Sequence, residues 1–527
     1  MRYQSIQFLI FALAVLAVYY LAGRKRQRIV LLIANLAFYG MARPQYLPFL
    51  AATALSSFYS ARMMDRVYKE TDAQIRAEAD KQRKKALRAE AKQRAKRALL
   101  LGMLVPIALL VVCKYTGFIL QNLNALLALA RLPQTPALRL ILPMGISFYT
   151  FMALSYVLDV YWRRYEAEES LLTYAVFLSY FPHVVQGPID RFGQFRDQIK
   201  DGVTFDAQKL VYGAELTLWG FFKKLVVADR LGIIIDKVFD GWQGLEGIVL
   251  IGAVALYSIQ IYADFSGCID IVTGISEMLG IGLKKNFNHP YLSRSMGEFW
   301  RRWHISLQEW FKDYVYFPVS ASALMRNVKK RLRDRGKSRA AERFATCFPI
   351  LVVWMVTGIW HGADWKFVAW GLFHAAVLIG SALLEPAFGA VNRRLGIRAE
   401  NPAWRVWQMA RTFVICCAGR VFFRAQSLPA AIGMLHVMER SRLAFGELWS
   451  KLVEYSGAEP DLWVTLVAML ILCVVDVIQE KTRLREALSR RNIALRWFLI
   501  YACLFIVLIF GVYGPGYGAT NFIYEQF

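Results

Sequence analysis

Apolar residues gather in long runs that repeat along the whole chain. Runs approaching the ~20 residues a helix needs to cross a bilayer lie at 6–21, 98–120, 210–227, 248–262, 367–384, 463–478 and 497–513. Shorter or interrupted runs lie at 29–39, 46–59, 140–160, 171–185, 269–283, 348–359 and 406–423. The pattern predicts an all-α integral membrane protein with roughly 10 to 13 embedded helices, several too short or too broken to be simple spans. One stretch differs. Trp300, Trp303, Leu307, Trp310, Tyr314 and Phe317 recur at three- and four-residue steps, with Arg301, Arg302, Lys312 and Asp313 between them. That stripe predicts an amphipathic helix lying along an interface.

Composition agrees with the pattern. Hydrophobic residues make up 57% of the 527, above the ~45–50% of soluble domains. The formal net charge is +25. A basic chain can meet nucleic acid or an anionic membrane face. Here Lys and Arg cluster in loops between apolar runs, as the positive-inside rule expects, so a lipid partner is expected and nucleic acid is not. Segment 62–97 holds 13 basic residues among strong helix formers and reads as a solvated cytoplasmic helix. Segment 326–343 carries nine more. The first run is followed, not preceded, by its basic cluster (Arg24, Lys25, Arg26, Arg28), which predicts a retained span rather than a cleaved signal. Arg483, Arg485, Arg490, Arg491 and Arg496 precede the last run. Charge bias therefore puts the tail 514–527 outside, along with the N-terminus. The expectation is one polytopic membrane domain over 1–527.

Seven scattered cysteines show no CxxC pair, so neither a disulfide framework nor a zinc site is expected. Six histidines remain: His183, His289, His304, His361, His374 and His436. Ionisable groups inside membrane segments are costly and mark functional sites by default. His361 sits in Thr357-Gly358-Ile359-Trp360-His361-Gly362 between two apolar runs. Its flanking glycines permit a helix break, and an imidazole there can be a general base. A structural histidine on a broken-helix carbonyl is the alternative. His304, in Trp303-His304-Ile305-Ser306, falls at the margin between the aromatic and charged faces of the amphipathic stripe; it either looks into a pocket or is an interfacial residue without chemistry. Asp264, in Tyr262-Ala263-Asp264-Phe265-Ser266-Gly267, needs a partner, for which Arg301 and Arg302 are candidates. Gly187-Pro188, after His183, suggests a re-entrant break. His374 reads as a core histidine on an apolar span, and His289 and His436 rank lower.

Five motifs follow in order: Leu142-Pro143-Met144-Gly145-Ile146-Ser147-Phe148-Tyr149-Thr150-Phe151 with Asp159-Val160-Tyr161; Gly187-Pro188-Ile189 with Arg191-Phe192; 262–267; Asn286-Phe287-Asn288 with Pro290-Tyr291, 299–306 and 310–316; and Gly358-Ile359-Trp360-His361-Gly362. Together they resemble the bacterial branch of the membrane-bound O-acyltransferases. The branch includes alginate O-acetylation proteins and the proteins of lipoteichoic-acid D-alanylation. The resemblance implies a ring of about 11 or more transmembrane and re-entrant helices around a funnel and tunnel, in the bacterial inner (cytoplasmic) membrane. It implies that His361 is catalytic and His304 a second tunnel histidine, with Asp264, Ser266, Arg302, Trp303 and Trp360 as substrate or tunnel residues. His361 would move the proton, and His304 with neighbouring donors would steady the oxyanion. The donor expected is acetyl-CoA, with no metal. The partner expected is a separate extracellular acetyltransferase of the SGNH type; an acyl carrier protein is the other candidate partner. The aromatic ending Phe522–Phe527 suggests that Tyr524 relays the acyl group as an ester, although Glu525 departs from the aromatic pattern. The function implied is passage of an acetyl group across the membrane for O-acetylation of an exported or cell-wall polysaccharide. D-alanyl transfer to teichoic acid is the alternative. A transporter or scaffold without chemistry is a rival from another class.

Overall fold

The computed structural model describes residues 3–513 apart from 137, 139, 399 and 443. The proposed relay residue Tyr524, like the rest of the tail, lies outside the described residues. Those that are described build helices and connecting turns, with one isolated bridge, Phe287 to Trp303, as the sole strand-like pairing among them. Six helical stretches are long and apolar enough to cross a membrane: Lys81–Leu129, Gly247–Met278, Ser338–His361, Trp365–Arg394, Glu459–Gln479 and Ile493–Phe510. Shorter apolar helices cover Ile6–Leu21, Gln27–Ala42, Ile146–Tyr161 and Leu428–Glu439. Large apolar side chains face outward on these elements, among them Leu101, Leu104, Leu470, Phe505 and Ile509. A surface of that kind suits lipid, not water.

The chain divides into two compact units. The first comprises Met1–Ala214 and Val272–Lys284. Its longest feature is a hairpin of Leu47–Ala77 and Lys81–Leu110. The sequence reading of 62–97 as one continuous helix is corrected here, because the chain turns at Glu78–Asp80. The Asp80 carboxylate accepts from the backbone N–H of Gln82 and Arg83 and starts the second helix. Helices of 31 and 30 residues are about 45 Å long at 1.5 Å per residue. That exceeds a ~30 Å hydrocarbon core, so the basic end projects beyond it. Ion pairs Arg62–Glu169, Lys69–Glu166 and Arg163–Asp72 tie that end to the loop after Tyr161. In the same unit, residues 180–191 are buried but non-helical, which matches the break read at Gly187-Pro188. His183 is held there by the Phe177 carbonyl at 2.7 Å and Asp190 at 3.2 Å, a structural role.

The second unit comprises Glu215–Ile271 and Lys285–Phe527. It contains most of the span candidates and the residues His361, His304, Asp264, Ser266, Arg302, Trp303 and Trp360. Three helical stretches open into wider π-turns: Val111–Tyr115 in the first unit, and Phe222–Ala228 and Lys312–Tyr316 in the second. Each carries at least one lysine.

Candidate active site

The site begins where two helices touch. Ser338–His361 ends against the start of Trp365–Arg394. A Cβ on Gly358 would lie 2.4 Å from the Phe367 carbonyl oxygen, and one on Gly371 would lie 2.4 Å from that of Trp354. Only glycine at both positions lets the backbones meet this closely. The helix stops at Gly362, whose backbone is extended. Asp364 then caps the next helix, accepting from the Lys366 N–H at 2.8 Å. His361 is therefore the last helical residue, buried at the junction. The break read from the flanking glycines is present.

Aromatic rings enclose this histidine. Trp370 lies 4.8 Å from it between ring centroids, Trp360 4.9 Å and Phe423 5.3 Å. Trp360 also reaches His304, at 6.2 Å. The two histidines expected to share chemistry are thus both neighbours of one indole.

His304 is not on a continuous helix, and here the sequence reading is corrected. Met296–Arg302 is helical, Trp303 is extended, and His304 is left-handed at φ 47° and ψ 52° before Ile305–Phe311 resumes. A side chain with a Cβ pays strain in that region. The distant segment 286–288 holds the break. The Asn286 carbonyl accepts from the Ile305 N–H at 2.9 Å, and the Asn288 N–H donates to the Arg302 carbonyl at 2.9 Å. Asn286 Oδ1 accepts from the Ser306 N–H at 3.0 Å and the Ser306 hydroxyl at 2.9 Å. It also lies 3.2 Å from His304 Nδ1.

That last contact fixes a tautomer. An oxygen already accepting from a backbone N–H is an acceptor, so Nδ1 carries the hydrogen and Nε2 presents a lone pair. Burial pulls the His304 imidazole down to about 3 from its ordinary 6.5, because an apolar surround disfavours the charged form. His304 is thus neutral, with its N–H committed to Asn286. The oxyanion-donor role expected for it does not fit this tautomer. Phe265 packs edge-on against its ring at 4.8 Å.

Asp264 and Ser266 flank Phe265 and face the π-turn Phe222–Ala228. The Lys224 ammonium sits 2.7 Å from Asp264 and 2.8 Å from Asp229. Lys223 Nζ donates to Ser266 at 3.1 Å and pairs with Asp270 at 2.6 Å. Arg301 and Arg302 were the expected partners of Asp264. Arg302 instead pairs with Glu298 at 2.7 Å and Glu480 at 2.9 Å, partly exposed, and is not drawn into the histidine cluster. Trp303 is buried, stacked on Phe299 at 5.5 Å, with the Arg420 guanidinium 4.5 Å above its ring.

Lys223, Lys224 and Arg420 were not singled out from sequence. Each lies in or beside an apolar run, and an intramembrane charge is itself a signal of function. His374, read as a core histidine, belongs to the same aromatic cluster, 4.8 Å from Trp370 and 4.9 Å from Trp300. His289 lies 3.2 Å from Asp476, and His436 is exposed. Among the described residues no group of three or more His, Cys, Asp or Glu could hold a metal ion.

Comparison with known proteins meets this geometry. Residues 167–414 match the model of the membrane-bound O-acyltransferase family. The probable alginate O-acetylase AlgI of Pseudomonas aeruginosa is 32% identical over 439 residues, 83% of this chain and 75% of that protein. The peptidoglycan O-acetyltransferase of Helicobacter pylori is 28% identical over 77% of this chain and 73% of its own. The teichoic acid D-alanyltransferase of Streptococcus thermophilus is 29% identical over 45% of this chain and 56% of its own. With a buried histidine pair in a multi-pass helical frame, this chain belongs to the membrane-bound O-acyltransferase family and is a membrane O-acyltransferase.

Proposed function

We propose that the protein takes an acetyl group from acetyl-CoA at the cytoplasmic face and passes it across the membrane for O-acetylation of an exported or cell-wall polysaccharide. The observation that carries this reading is the pair His361 and His304, both buried and both neighbours of Trp360. A proton-transfer group in a water-poor site is what acyl transfer between a thioester and a hydroxyl requires. The acetyl choice is supported by coverage: the O-acetylating relatives align over 83% and 77% of this chain, the D-alanyltransferase over 45%.

The acceptor oxygen attacks the acyl carbonyl carbon while a histidine Nε2 takes the hydroxyl proton. The tetrahedral intermediate then collapses, the C–S bond breaks, and the thiolate leaves as the thiol by taking that proton. His361 takes that proton in this scheme, with neutral His304 against the same indole. Tyr524 is the first acceptor in this scheme, holding the acetyl group as a phenyl ester until a separate extracellular acetyltransferase of the SGNH type collects it. An acyl carrier protein is the alternative donor, and the basic hairpin around 81–97 suits either CoA phosphates or an acidic carrier. Charge bias supports an inner-membrane orientation with both termini outside.

The test is base-labile ester on the envelope or secreted polysaccharide of cells with the wild type, His361→Ala or no gene. Acetate lost in both altered strains is the expected result. Loss of D-alanine instead would move the reading to teichoic-acid chemistry. Ester retained by His361→Ala but lost on deletion would make the protein a scaffold or transporter.

A further inference from the structure

The proposed reaction builds negative charge on the acyl oxygen, and the tautomer of His304 removes the donor first expected for it. A second set of polar groups lies next to His361. Trp300, Trp370 and His374 form a triangle with ring centroids 4.9, 4.8 and 5.8 Å apart. All three side chains are buried. Trp300 Nε1, Trp370 Nε1 and His374 Nδ1 make no hydrogen bond among the described residues. The elements fix this arrangement from three directions. Trp300 comes from Met296–Arg302, Trp370 and His374 come one turn apart from Trp365–Arg394, and Pro402–Arg424 closes the far side. On that side Gly419 lies so near that a Cβ would fall 2.7 Å from His374 Nε2. The Nε2 edge of the imidazole therefore packs on a helix.

A buried donor without a partner costs about 1–3 kcal/mol, and more where no water can reach it. Native structures rarely leave even one; here two indole donors and an imidazole nitrogen share one cluster, and Trp370 is also a direct neighbour of His361. Indole nitrogen can only donate, so the group that completes this cluster carries an acceptor oxygen. We propose that the indole N–H groups of Trp300 and Trp370, with His374 beside them, bind the carbonyl oxygen of the acyl group and hold it as it becomes an oxyanion. This rests on the acyl-transfer reading and adds the residues that receive the charge. The oxygen gains negative charge as the acceptor hydroxyl adds to the carbonyl carbon and loses it as the C–S bond breaks. The indole hydrogens are donated throughout and are not transferred. Preorganised donors in a dry site stabilise such a charge strongly.

The experiment uses the full-length protein in cells, with Trp300→Phe, Trp370→Phe and the double variant. Phenylalanine keeps an aromatic ring and deletes the N–H. The readout is the initial rate of base-labile ester formation, normalised to folded protein by the monodisperse peak of a fluorescent fusion in detergent. Each single variant is expected to lose at least about tenfold, and the double variant more, since one lost oxyanion donor commonly costs 10²–10³. Trp354→Phe is the packing control. Trp354 touches the same cluster, 4.6 Å from Trp300 and 5.2 Å from His374, and its indole nitrogen is not among the orphaned atoms. It is expected to stay within threefold. Retention within threefold by both Trp300→Phe and Trp370→Phe overturns the proposal and leaves resident water as the occupant. A loss in Trp354→Phe equal to theirs also overturns it, because the effect is then packing. If the released acid is D-alanine, the acetyl reading fails while the same rate comparison still decides the oxygen site.

Discussion

Replacing Lys224 by methionine tests whether the buried ion cluster holds the site together. The ammonium lies 2.7 Å from an Asp264 oxygen and 2.8 Å from an Asp229 oxygen, so those oxygens are at most about 5.5 Å apart. The three side chains are 1–6% exposed, so solvent screens them little. Without the cation, two carboxylates at that spacing repel by on the order of 3 kcal/mol at an effective dielectric of about 20. Removing one partner of a buried pair typically costs ~3–5 kcal/mol, and the same range is expected for Lys224→Met. The assay is chemical unfolding of the purified protein in detergent, followed by tryptophan emission. Adding Asp264→Asn to Lys224→Met removes one of the opposed charges and is expected to restore a substantial part of the loss. A cost under about 1 kcal/mol, or no recovery in the double variant, refutes the reasoning, since either means the charges are not coupled as the distances require. Ester formation should fall together with stability, because Asp264 precedes the phenylalanine that braces His304.

Two other perturbations are informative. Asn286→Ala removes the oxygen that holds Ser306 and His304; it should cost about 1–3 kcal/mol and at least tenfold in ester formation, whereas Asn286→Asp, which still accepts, should retain more activity than the alanine variant. Because folding pulls His304 from its ordinary 6.5 to about 3, the unfolded chain binds more protons between those values. Stability from this residue is therefore complete above about pH 6.5 and lost as pH falls towards 3, at up to ~1.4 kcal/mol per pH unit. Unfolding of the wild type and His304→Gln at pH 7.5 and pH 5 checks this, with a flatter pH dependence expected in the variant.

The sequence conveyed the helical class, the membrane setting and both histidines, because apolar run length and intramembrane ionisable residues are properties of one segment at a time. The His361 break was legible for the same reason: its glycines stand beside it. The His304 break was not. Three- and four-residue spacing continues unbroken from Trp300 to Phe317, and what interrupts the helix is Asn286, 18 residues earlier. Nor could spacing match Asp264 with Lys224, 40 residues away, in preference to the nearer-looking arginines. The turn at Glu78–Asp80 was hidden by strong helix formers on both sides, where a single capping aspartate outweighs composition. His374 was read as packing alone because its orphaned nitrogen is a property of the surrounding rings.

The π-turn at Phe222–Ala228 also bears on how this chain should be aligned with its relatives. Such a turn fits one more residue than the α-helix it interrupts, and one residue on an α-helix subtends about 100°. A relative with a regular helix here would therefore differ by a single-residue gap inside 222–228, and an alignment without that gap would pair Lys224 with its neighbour's counterpart. Substitution tables built on the ungapped register would then describe an outward-facing position as though it were the buried ammonium between Asp264 and Asp229. Deleting one residue from this turn should act the same way in the molecule, turning the lysine pair away from the carboxylates while every side chain in the sequence remains present.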